Sequence, residues 1–144
     1  MESMKFNVEE AIAYGKEGKI EEWVHLFLNS IGDNAPFSEG LKLEKRHWTG
    51  PMLISIDKLK RCCGPEPGME YYNAPEDWEP CIKKFQQLIK NGWDMPPLIV
   101  QHEGDRLIVS DGNHRLEAMR RAGIDKFWII VWNTHYQDII EDLQ

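Results

Sequence analysis

Cysteine is scarce in this chain and wrongly spaced for most cysteine chemistry. Cys62 and Cys63 are adjacent and Cys81 stands apart, so the sequence holds neither a CxxC pair nor an even disulfide framework. All three read as reduced, structural thiols. No apolar run is long enough to span a bilayer, and the start, Met1-Glu2-Ser3-Met4-Lys5, has no basic-then-apolar leader. No membrane association and a cytoplasmic location are expected. H-x-H, HExxH and Cys/His clusters are missing, which leaves no signature for a tightly held metal. Positive charge is also short, since 17 Lys+Arg face 24 Asp+Glu for a formal net charge of −7. A surface that grips nucleic acid throughout needs a basic footprint, so that class is disfavoured. A local basic pocket is still compatible with the overall charge.

What is present suits one soluble globular unit. The 144 residues are 42% hydrophobic and 28% charged, enough to bury a core. Six tryptophans point to a rigid aromatic core or a stacking surface. Residues 7–31 read as two helices. Asn7 caps the first, with Glu10 completing an N-x-x-E pattern, and Gly15 and Gly18 separate it from the second. The second carries Ile20, Trp23, Val24, Phe27 and Leu28 on one face. That stripe reads as core, with docking of a partner as the alternative. Residues 32–50 read as irregular, with Pro36, Gly40 and a basic patch from Lys42 to Trp48. A short strand is expected over residues 52–56, an irregular Gly- and Pro-rich stretch over 62–80, and a helix over 81–90. The Asn91-Gly92 pair closes that helix by a left-handed cap.

The last third alternates clearly. A strand over 97–101, a turn at Glu103-Gly104-Asp105 and a returning strand over 107–109 lead into a helix over 113–122. Leu116, Met119 and Ala122 are expected to face inward. Gly123 ends the helix, and a buried strand over 127–132 follows. The tail, 135–144, is expected to add a short helix.

Chemistry concentrates in Ser110-Asp111-Gly112-Asn113-His114-Arg115, between an apolar strand and an amphipathic helix. The first N–H groups of a helix lack intrahelical partners, and its dipole places partial positive charge there. Gly112 allows close backbone approach, and His114 and Arg115 add donors. Together Gly112, Asn113, His114 and Arg115 form a candidate cradle for a phosphate. Asp111 also reads as the helix N-cap.

The order of these elements resembles the ParB/sulfiredoxin-like superfamily. The resemblance runs over residues 49–134. It is carried by Ile54-Ser55-Ile56-Asp57-Lys58-Leu59, the helix Phe85–Gly92, Pro97-Leu98-Ile99-Val100, and Asp111-Gly112-Asn113-His114-Arg115-Leu116-Glu117-Ala118. It implies a compact α/β (α+β) fold, a small mixed sheet with packed helices. Residues 49–144 would form that domain, and residues 1–48 an N-terminal helical extension. It also implies a nucleoside phosphate (ATP, ADP or CTP) at the Asp111–Arg115 turn, carried in with Mg²⁺.

Members of the superfamily differ in activity, and this sequence departs from two of them. Sulfiredoxin places its reactive cysteine after the turn glycine, where this chain has Asn113, so a sulfiredoxin-type reductase is not expected. Partition proteins continue into a helix-turn-helix region, whereas this sequence stops soon after its last expected strand. The Asp-Gly-x-His-Arg form is closest to the free-serine-kinase-like branch. The leading expectation is therefore an enzyme of phosphoryl transfer or nucleotide hydrolysis, acting on a small-molecule substrate. In-line transfer needs a cradle and a carboxylate that handles the attacking group. Asp111 and His114 are candidates at the turn. Glu66, Glu70 and Glu76 are candidates in the loop, with Glu70 preferred because Tyr71 and Tyr72 could wall a pocket. His47 and His102 are lesser candidates to approach the phosphates. Trp48, Trp78 and Trp93 are expected on the loop side of the pocket. A ParB-like nuclease or DNA-associated module is the alternative, resting on the family and on the Lys42–Trp48 patch. A non-catalytic binding module is the second alternative.

Overall fold

The computed structural model describes residues 3–135. The expected tail helix therefore falls, except for His135, outside the described residues. Three helices come first, α1 (Val8–Lys16), α2 (Ile20–Leu28) and α3 (Ala35–Leu41). Strands β1 (His47–Ser55), β2 (Leu59–Arg61), β3 (Cys63–Gly64) and β4 (Tyr71–Tyr72) follow. Next come α4 (Pro75–Lys90), β5 (Leu98–Glu103), β6 (Arg106–Asp111), α5 (Asn113–Arg121) and β7 (Lys126–Asn133). Five strands make a mixed sheet in the order β1-β7-β5-β6-β2, and β3 and β4 form a separate two-stranded ribbon. β7 lies antiparallel to β1 and parallel to β5, whereas β6 lies antiparallel to β5 and parallel to β2. This is the α/β class expected from the sequence, helices packed on a small mixed sheet.

Both faces of the sheet are covered, as the unbroken apolar runs of β5 and β7 require. Alternate residues of each strand point to opposite faces. Leu98, Val100, Ile129 and Val131 join a core with Leu116 and Met119 of α5. Ile99, Ile130 and Trp132 join a second core with Ala11, Trp23, Val24, Phe27 and Leu28. The stripe on α2 is thus packed into the protein, with Trp23 and Val24 fully buried, and does not offer a docking face. A third cluster, Trp78, Ile82 and Ala118, seals α4 against α5.

Four local expectations need correction. Residues 35–41 are helical rather than irregular, because Pro36 sits in the first turn of α3, where a proline costs no hydrogen bond. β1 begins at His47, not at Met52, and its register shifts between Thr49 and Met52. α4 begins at Pro75 and runs through Pro80, so the irregular stretch is shorter than the composition suggests. On α5 the buried alanine is Ala118, while Ala122 at the C-cap is exposed.

Candidate functional site

The turn at the end of β6 follows from one glycine. Gly112 is the N-cap of α5, with φ 108° and ψ 21°. A β-carbon there would stand 2.5 Å from Leu98 Cδ2 and 2.9 Å from Arg115 Nη2. The chain can therefore pass from β6 into α5 with Leu98 and Arg115 packed against bare backbone. No side chain caps this helix, so Asp111 is not its N-cap. The first backbone N–H groups of α5 lack partners within the helix.

This turn opens into a cavity of about 290 Å³ where the two helical layers meet beyond the strand ends. The polar wall is Asp111, Gly112, His114 and Arg115, with Asp94 and Lys5 beside them. The apolar wall includes Phe27 and Ile31 from the α2 end and Phe85 and Trp93 from α4 and the segment after it. The rings of Phe85 and Trp93 are stacked, with centroids 5.4 Å apart.

Arg115 is built into the protein rather than free. It is only 6% exposed, donates to Pro96 O at 2.5 Å, and pairs with Asp111 at 3.4 Å. Burial pushes its pKa down and Asp111 pushes it back up, but a guanidinium stays charged. Asp111 Oδ1 also accepts from Asn34 Nδ2 at 3.3 Å, which ties the turn to the start of α3. Asn113 likewise points inward. Its Oδ1 accepts the Cys62 N–H at 2.8 Å, and its Nδ2 donates to Val109 O at 3.1 Å and to Cys62 Sγ at 3.4 Å. Its side chain is thus committed, and Asn113 is not among the cavity-lining residues.

His114 is half-buried on the cavity wall, its ring 4.5 Å from that of Trp78. Burial, with help from Arg61, lowers its pKa, and Asp111 opposes the shift. At neutral pH the imidazole is therefore neutral and able to accept a proton.

Glu70 stands on the exposed loop before β4, close enough to Cys62 to raise that thiol's pKa, and is not among the cavity-lining residues. A hydrogen bond from Cys63, aided by Asn113, nevertheless lowers the Cys62 pKa to about 7. The Cys63 thiol is pushed up instead, chiefly by the same bond. All three cysteines are free.

The remaining site expectations divide. Trp93 lines the cavity, whereas Trp78 is buried between α4 and α5 and Trp48 packs with the N-terminal helices. His102 pairs with Leu107 and Asp111 with Ile99, so His102 lies three residues, about 10 Å, down β5 from the turn. His47 faces Asn133, also away from it. Sequence reading did not find Phe6, Phe27, Phe85 or Asp94 as site residues. They come from four separate segments, and no local motif links them. Among the described residues no group of three or more His, Cys, Asp and Glu side chains could hold a metal ion. No helix among them is long and apolar enough to cross a membrane.

No protein-family model matches the chain, and no curated protein matches its sequence. Solved structures do match it, at a distance. Sulfiredoxin from Arabidopsis thaliana aligns at 19% identity and a TM-score of 0.42, over 56% of this chain and 84% of that one. The C-terminally truncated chromosome-partitioning protein ParB from Caulobacter crescentus, complexed with CTP-γ-S, aligns at 19% identity and a TM-score of 0.43, over 67% of this chain. A free serine kinase mutant in complex with AMP aligns at 17% identity and a TM-score of 0.40, over 69% of this chain. The matched region spans 54% of that ParB chain and 34% of that kinase.

Proposed function

We propose that the cavity receives a nucleoside phosphate, its phosphates against the first turn of α5 and its base among the aromatic walls. We further propose that the protein catalyses phosphoryl transfer or nucleotide hydrolysis. One observation carries this reading: an uncapped helix N-terminus opens into a cavity walled by stacked aromatic rings. Free N–H groups and the helix dipole favour an anion, and the rings favour a flat base. At about 290 Å³ the cavity is at the small end of ligand sites, so it suits a compact nucleotide, with any phosphates beyond the first reaching toward solvent.

Roles follow from the contacts. Arg115 holds Asp111 in place and ties the turn to Pro96 O. In this reading the neutral His114 would take the proton of an attacking hydroxyl or water, and Asp111, held by Arg115 and Asn34, would orient it. Glu70 would act only from the outer rim, across Cys62 and Asn113. If Mg²⁺ arrives with the phosphate oxygens, Asp94 and Asp111, which both line the cavity, would be the carboxylates available to hold it.

Calorimetry with AMP, ADP, ATP, CTP and GTP in the presence of Mg²⁺ tests the binding, and phosphate release tests the chemistry. Wild type should bind at least one nucleotide, and His114→Ala should bind it more weakly. No binding by wild type would overturn the reading. The DNA-associated alternative has less to stand on. Arg46 donates to Leu41 O, Gly40 O and Thr134 Oγ1 and covers the Trp132 ring, and Lys42 pairs with Glu39.

A further inference from the structure

One side of the cavity is closed by the residues ahead of α1, and a single carboxylate fixes their course. Glu10 accepts the Lys5 N–H through Oε2 at 2.8 Å and the Phe6 N–H through Oε1 at 3.0 Å. The same Oε1 accepts the indole N–H of fully buried Trp23 at 2.9 Å. Glu10 is therefore anchored in the core while it holds this strap. Phe6 turns the chain at φ 50°, and its ring packs on Trp23 and Phe27 at 5.8 and 5.9 Å. A non-glycine residue keeps that conformation only where its surroundings impose it. Asn7 then donates to Asp94 Oδ2 across the cavity rim at 2.9 Å. The Lys5 side chain leaves a backbone pinned on both sides.

The charges around the cavity are unevenly committed. Lys5, Asp94, Asp111 and Arg115 all line it. Arg115 is spent on Asp111 and Pro96 O. Asp94 accepts from Asn7. Lys5 makes no side-chain ion pair or hydrogen bond among the described residues. The cation that a sequence reader would choose for the phosphate, Arg115, is neutralised, and the uncommitted one lies far away in sequence.

We propose that Lys5 is the cationic contact for the ligand's phosphate group, presented to the cavity by the Glu10-pinned strap. This rests on the nucleotide reading above and extends the site to the N-terminal segment. An ammonium group is a compact charge with three rotatable donors, suited to an anion whose oxygens are already partly held by backbone N–H groups. The strap makes the contact selective for ligands that carry negative charge beyond the aromatic walls. A nucleoside without phosphate gains nothing from it.

Calorimetry on the full chain, with AMP, ADP, ATP and CTP plus Mg²⁺ at several salt concentrations, tests this. Lys5→Ala should bind about tenfold more weakly, as expected for one charge-assisted contact at a partly exposed site, and with a shallower salt dependence. Lys5→Arg should recover most of the affinity. Lys16→Ala, at the far end of α1, should match wild type. Thermal melts should coincide for all four proteins, because Lys5 holds nothing in the fold. Wild-type binding that is unchanged in Lys5→Ala, in both affinity and salt slope, would overturn the Lys5 assignment and leave the nucleotide reading standing. No binding by wild type would overturn both.

Discussion

Replacing Gly112 with alanine tests the geometry of the turn most directly. Two costs add at this position. The backbone sits at φ 108°, beyond the left-handed well that other residues tolerate, and such strain costs about 1–3 kcal/mol. The new methyl would also meet Leu98 Cδ2 at 2.5 Å and Arg115 Nη2 at 2.9 Å. Leu98 is fully buried between strand neighbours and Arg115 is locked to Asp111, so neither yields freely, and overpacking adds about 1–3 kcal/mol. A total of about 2–6 kcal/mol is a large part of the roughly 5–15 kcal/mol that holds a domain together. At about 3 °C per kcal/mol, Tm should fall by roughly 6–18 °C. Gly104→Ala is the internal control. Gly104 lies at φ 62° with open space around it, so only the conformational cost of about 1–2 kcal/mol applies. Circular-dichroism melts and urea titrations of both variants give the comparison. If Gly112→Ala melts no lower than Gly104→Ala, the close approach of Leu98 and Arg115 to the turn is wrong.

Three further outcomes are expected. Asp111→Asn leaves the buried Arg115 guanidinium without its counter-charge and should lower stability by about 3 kcal/mol, read from the urea midpoint. A loss below about 1 kcal/mol would mean that the charge is solvated. His114 and His25 both have pKa values lowered chiefly by burial. The unfolded chain thus takes up protons first, and stability should fall as pH drops below about 6.5, toward the folded-state values. His114→Gln should flatten that fall in a Tm-against-pH series, and an unchanged slope would contradict its burial. Alkylation of Cys62 by iodoacetamide, followed by mass spectrometry, should titrate near its lowered pKa of about 7. Asn113→Ala removes one donor to that sulfur and should move the midpoint upward.

The parts legible in the sequence are those whose signals are local. Asn7 does cap α1, accepting the Glu10 N–H at 2.9 Å. Glu10, however, turns to Lys5, Phe6 and Trp23 instead of closing a box on Asn7, a choice that depends on where α2 packs. The strand–glycine–helix turn is readable because β6, Gly112 and α5 are continuous in sequence. α3 and the first turns of α4 are not readable, because Pro36, Pro75 and Pro80 look like breakers until the helix register is known. The cavity is the least legible part. Asp94, Phe27 and Phe85 become site residues only when two helical layers meet. The roles of Arg115 and Asn113 also change on folding, from free donors to buried ties, since only the fold supplies Pro96 O and the Cys62 N–H as partners.

Ile99 and Ile130 face the N-terminal helices, while Leu98 and Ile129, their chain neighbours, face the opposite layer. The cavity takes walls from both layers, so a bound molecule is a thermodynamic link between them. Its binding free energy must be given up when either layer opens, in proportion to the logarithm of its concentration over its Kd. Amide hydrogens in α2, distant in sequence from the Gly112 turn, should therefore exchange more slowly as the cavity fills. Ligand occupancy can be followed from the backbone of α2, a helix more than eighty residues away in sequence from the Gly112 turn.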